Sequence, residues 1–194
     1  MPESPTTKDY LQVIGLIVYI SNHLEATIAR SIGHLVSNDQ GMNTRITAGE
    51  TSANLIRLLS ALFHYRVKDK VTRKQFDGLI ERITKAISKR NKHIHAKWID
   101  QRGTMEDRYR TSKMNLKEFT IDREKPSIKI LYAIHKEIAT VRLELFDFIA
   151  DHQQEIFEHR QKMSNLSERE QVHFNIEDFF PANQRKPPRK SVIH

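Results

Sequence analysis

The chain has 194 residues, of which 38% are hydrophobic and 29% charged, with only six glycines and six prolines. This length suits one core with an appended tail, and the scarcity of turn-formers favours long helices over a turn-rich β fold. The absence of cysteine excludes a disulfide framework, a thiolate metal site and a cysteine nucleophile, and it fits a reducing compartment. A net charge of +8 favours polyanionic partners, with nucleic acid the commonest. The longest apolar stretch, Val13 to Ile20, is shorter than a bilayer span. Residues 1–8 lack the basic start of a secretory signal, so a cytoplasmic location without membrane contact is expected.

Ser4-Pro5 reads as a helix opening, with serine as cap and proline in the first turn. Tyr10, Val13, Ile14, Ile17, Leu24, Ile28, Ile32 and Leu35 then recur at helical spacing, which predicts a long first helix over residues 5–37. Ser37-Asn38-Asp39-Gln40-Gly41 ends it as a loop. Thr47 and Glu50 have capping-box spacing ahead of Leu55, Leu58, Leu59, Leu62 and Phe63, predicting a second helix that ends near Val67. Thr72 and Gln75 predict the start of a third, whose stripe is Phe76, Leu79, Ile80, Ile83 and Ile87. The helical period lapses from Gly103 to Asp122, where partial alternation points to a small hairpin or ordered loop.

Pro126-Ser127 opens another long helix, in which the period runs from Ile128 through Leu145, Phe148 and Ile149 to Ile156. The expected fold is therefore all-α: an antiparallel bundle of four main helices carrying a hairpin insertion, in one domain over residues 1–163. Residues 164–194 form a tail in which Phe174, Ile176, Phe179 and Phe180 are suited to docking on the body. Its final part, Arg185-Lys186-Pro187-Pro188-Arg189-Lys190, combines charge with prolines that exclude helix. The sequence shows neither an internal repeat nor a Gly-rich phosphate loop.

Chemistry concentrates in Lys89-Arg90-Asn91-Lys92-His93-Ile94-His95, at the end of the third helix. Arg90 and His95 are separated by four residues, Asn91 follows the arginine, and Trp98 stands shortly after. This run resembles the R-x4-6-H motif of the HEPN superfamily, in which Asn, Asp or His often follows the arginine at the end of a core helix. The resemblance covers residues 5–160 in helix order and has motif-level detail only from Arg90 to Trp98. It implies a metal-independent endoribonuclease with no cofactor, in the manner of a toxin or defence effector, with one composite site across a homodimer. An antitoxin or regulatory protein is a further implied partner. Ala96 departs from the glycine common after the histidine, which puts in question how the helix ends there.

The side chains also argue for that chemistry on their own. RNA supplies its own 2′-hydroxyl nucleophile, so cleavage needs proton transfer at two oxygens and positive charge on the phosphate. Histidine exchanges protons near neutral pH, and arginine holds phosphate through paired N–H bonds. Arg90, Asn91 and His95 are thus the candidate catalytic residues and His93 a secondary one. Lys89, Lys92, Lys97 and Arg102 are candidates for the RNA backbone. On an ideal helix Arg90 and His95 point roughly 140° apart, so the arginine must reach, the helix must distort, or a second subunit must take part.

The same run also fits a solvated helix end whose cations complement the dipole. His93 and His95 point away from each other on a helix, so they do not chelate one ion, and no metal is expected. His152, Glu155 and His159 lie at spacings of three, four and seven, which places them on one helical face, without a further identified metal ligand. Tyr19, Tyr65, Phe76 and Trp98 read as core residues rather than base-stacking platforms. Two other functions stand beside the nuclease. One is a non-catalytic HEPN-like module that binds RNA, nucleotide or a partner protein. The other is a DNA-binding regulator, although no helix-turn-helix spacing is present.

Overall fold

The computed structural model describes residues 5–37, 40–101, 104–111, 121–124 and 127–164. Helix α1 (Thr7–Val36) is capped by Thr6, two residues beyond the expected cap at Ser4. The Thr6 N–H donates to the Asp9 carboxylate at 2.8 Å while the Asp9 N–H donates back to the Thr6 hydroxyl at 3.4 Å. This reciprocal box satisfies two of the orphan donors at the helix start. By length and composition α1 is apolar enough to cross a membrane. Its buried stripe from Tyr10 to Leu35 is the spine of the core. Three buried or nearly buried hydroxyls on that stripe, Ser21, Thr27 and Ser31, donate to carbonyls one turn back, so none enters the core unsatisfied.

An unexpected short helix, α2 (Gln40–Thr47), begins within the expected loop and runs up to the expected cap at Thr47, and Gly49 takes a left-handed φ of 74° after it. Thr47 therefore ends a helix and does not cap one. The cap of α3 (Ser52–Arg66) is Thr51, whose hydroxyl accepts from Asn54 N–H, and Val67 ends that helix as expected. Helix α4 (Lys70–Ile94) likewise begins at Asp69 and not Thr72. The Asp69 carboxylate accepts the Thr72 N–H at 2.7 Å, which holds its pKa below the ordinary carboxylate value. A three-stranded antiparallel sheet follows, formed by β1 (Lys97–Gln101), β2 (Thr104–Thr111) and β3 (Ile121–Glu124) in that spatial order. The region expected to hold a hairpin supplies β2 and the start of β3, while β1, which pairs with β2 through an irregularity between Ile99 and Asp100, lies ahead of it.

Ser127 caps α5 (Ile128–Asp151), as read from the sequence, but the last long helix is not continuous. It breaks at His152, and α6 (Gln153–Ser164) continues from there. The His152 ring explains the break. Its Nδ1 lies 2.8 Å from the Phe148 carbonyl, which can only accept, so the imidazole donates to an acceptor at the helix end while stacking on Phe148.

Cross-links between elements fix the helix directions. Glu25 accepts from Ser52, and Arg66 donates to the Leu35 carbonyl, so α1 and α3 run the same way, with α2 carrying the chain back between them. Arg82 pairs with Glu144 and Lys89 with Glu137, so α4 and α5 are antiparallel, as are α3 and α4, which are tied by Arg73 to the His64 and Val67 carbonyls. Helix α4 therefore opposes α1, α3 and α5. The centre of the bundle is aromatic: Phe63 stacks on Phe76 with ring centroids 3.9 Å apart, and Phe148 leans on both. The fold is all-α in its core, and the sheet is attached at one end of α4.

Candidate functional site

The buried stripe of α4 runs through Phe76, Leu79, Ile83 and Ala86, and the same spacing continues to Arg90 and His93. Arg90 is consequently half-buried, and its Nε is shielded from solvent without a hydrogen-bond partner. The far end of its guanidinium emerges to donate from Nη1 to the Asn91 side-chain oxygen at 2.9 Å. Asn91 itself is exposed. The arginine fork is thus held by its stem in the core and by an amide at the surface.

His93 lies on the core side and is 8% exposed, whereas His95 is open to solvent. Two residues apart, the imidazoles have opposite environments, as helical geometry requires of positions roughly 200° apart. Helix α4 ends at Ile94, and His95 is its cap, with φ −93° and ψ 6°. Its N–H still donates to the Asn91 carbonyl one turn back, so His95 stays on the helical path, on the same face as Asn91 and roughly 140° from Arg90. The turn is pinned from beyond, because the Trp98 indole N–H donates to the His93 carbonyl at 3.0 Å and its ring packs near Tyr10 of α1.

Lys89 is committed to Glu137, 2.7 Å away, in a largely exposed pair worth at most about 1 kcal/mol, so the lysine remains recruitable. Lys92 is exposed in the last turn, where cations offset the partial negative charge of the helix end. Lys97 begins β1, and Arg102 lies outside the described residues. The structure thus joins Arg90 to Asn91, sets His95 just past them, and turns His93 inward. The continuation of the α4 stripe through position 90 was the available signal for the half-burial of Arg90.

The other candidates separate. His152, Glu155 and His159 do not share one helix, since the break falls at His152, and no cluster of metal-ligating side chains is present among the described residues. Phe76 is a core residue as expected, Trp98 packs against the core, and Tyr65 meets His159 edge-on. Tyr19 departs from expectation: it is 62% exposed and meets His23 edge-on at the surface. Its position in the apolar run misled, because it lies off the Val13–Ile17–Leu24 stripe.

Burial holds the His159 pKa below its ordinary 6.5, and the nearby cations of Arg66, Lys68 and Lys162 push the same way against Glu155. A depressed histidine pKa means that the unfolded chain takes up the proton first on acidification. Stability is therefore expected to fall as pH drops from about 7 to about 5, above the range in which carboxylates titrate. His159→Gln should flatten the unfolding midpoint across that window, measured by thermal denaturation monitored by circular dichroism. An unchanged slope would remove His159 as its source.

No protein-family model, curated protein or solved structure matches the chain.

Proposed function

We propose that the chain is a metal-independent endoribonuclease of the HEPN type, acting as a homodimer in which two copies of the α4 end meet over one phosphodiester. The observation that carries this reading is the Arg90–Asn91 side-chain hydrogen bond one helical turn before the exposed imidazole of His95. Arg90 binds the scissile phosphate and stabilises the charge that builds on its oxygens, as a preorganised donor does in acyl and phosphoryl transfer. Asn91 orients the guanidinium. His95 moves a proton, either from the 2′-hydroxyl or to the departing 5′-oxygen. A single α4 end supplies one exposed imidazole where two proton transfers are needed, and a symmetric dimer supplies the second.

Lys89, Lys92, Lys97 and Arg102 would steer the RNA backbone and make binding salt-sensitive. His93 supports the turn from inside rather than meeting substrate. A toxin or defence effector, cytoplasmic and restrained by an antitoxin, is the biological setting this chemistry fits.

The test is incubation of purified protein with single-stranded RNA in a chelator, followed by analysis of fragment ends. Fragments ending in a 2′,3′-cyclic phosphate are expected, because the internal hydroxyl attacks. Cleavage that needs added divalent metal, or that leaves 3′-hydroxyl ends, would replace this mechanism by another. RNA that is bound but left intact would assign the same surface to a non-catalytic binding module.

A further inference from the structure

At the end of the bundle far from Arg90, the last turns of α1 and α5 and the first turns of α6 enclose a groove. Its apolar floor includes Ile149, and its walls include Phe146 and Phe157, which are 59% and 42% exposed. The two rings line adjoining pockets that share His34, Ile149 and Gln153, and large aromatics exposed to that extent mark a surface suited to an apolar partner. The rim is basic, with Arg30 and His34 on α1 and Arg160 on α6. No carboxylate is found among the described residues lining the groove. The occupant it fits is therefore short, aromatic and acidic.

The chain carries such a segment. Phe174-Asn175-Ile176-Glu177-Asp178-Phe179-Phe180 contains four large apolar residues and two carboxylates, without lysine or arginine, and lies beyond the described residues. Reach permits the contact. Ser164 closes α6 seven residues after Phe157, a helical rise of about 10 Å, while the ten residues from Ser164 to Phe174 span up to about 33 Å when extended. Tethering raises the local concentration of the segment far above that of any free peptide.

We propose that this groove is a docking site for the chain's own Phe174–Phe180 segment. The aromatic side chains pack on Phe146, Ile149 and Phe157, and Glu177 and Asp178 face Arg30, His34 and Arg160. Docking there leaves the α4 end open, since the groove lies at the opposite pole of the bundle. It also holds the following basic run, Arg185 to Lys190, on a short leash.

Because the chain has no cysteine, one introduced pair reports the contact in the full-length protein. Ala150→Cys combined with Asn175→Cys should form an intramolecular disulfide under mild oxidation. Its rate should exceed that of a control pair, Ala150→Cys with Ser191→Cys, by roughly tenfold or more. Adding Phe146→Glu, or separately Arg30→Glu, should bring the rate down to the control, with far-UV circular dichroism verifying the helices in each variant. Equal rates for the two pairs would overturn the proposal. So would a disulfide joining two chains, which would make a second copy the source of the segment.

Discussion

Arg90→Ala is expected to reduce RNA cleavage by a factor of about 100 or more, on the scale of losing one preorganised donor to a developing oxyanion. The variant keeps its helices, because the side chain leaves from the last full turn of α4, downstream of the packed centre at Phe76 and Ile83. Arg90→Lys should not restore activity. A lysine offers a point charge without the planar fork that Asn91 grips at one end while the phosphate takes the other. His95→Ala should bring a loss of similar size and leave the fold intact, since the residue is exposed at the end of α4. Rates measured on a single-site RNA, with gel filtration checking assembly, decide the matter. Cleavage at the parental rate in both alanine variants would end the nuclease assignment.

The largest expected loss of stability belongs to Phe63→Ala. Phe63 has no solvent exposure and is enclosed by Phe76, Phe148 and the His152 ring. Truncating it removes the apolar transfer energy and leaves a cavity that the rings of Phe76 on α4, Phe148 on α5 and His152 at the α5–α6 junction cannot all collapse into. The cost is about 3–5 kcal/mol. In a chain of this size that lowers the thermal midpoint by on the order of 10 °C. Since the same ring seats His152, the α5–α6 junction should loosen together with the core. A midpoint within a degree or two of the parent would mean that the aromatic centre is not the keystone of packing.

The apolar stripes were readable because burial obeys helical period. Leu55, Leu58, Leu59, Leu62 and Phe63 on α3, and Leu131, Ile134, Ile138, Val141, Leu145 and Ile149 on α5, are buried where the spacing placed them. Helix starts were harder. Thr6, Thr51 and Asp69 each stand two to four residues from another good capping residue, and the choice depends on which backbone turns extended before the helix. The break at His152 escaped notice because Ile149 and Ile156 keep a seven-residue interval across it. Helix α2 has no apolar stripe to announce it.

At the site, the identity of Arg90, Asn91 and His95 was legible as a motif, and their environments were legible only in part. Periodicity marks position 93 as inward and position 90 as borderline. It says nothing of the Asn91 bond or of the Trp98 anchor, both of which depend on rotamers and on a chain reversal.

The sequestered Nε of Arg90 has an energetic implication. An N–H removed from water and given no acceptor costs on the order of 1–3 kcal/mol, in a molecule whose whole margin is only several times larger. A chain shaped for folding alone would place an aliphatic residue at this point of the stripe. Keeping a cation there costs folding stability that an aliphatic side chain of similar length would retain.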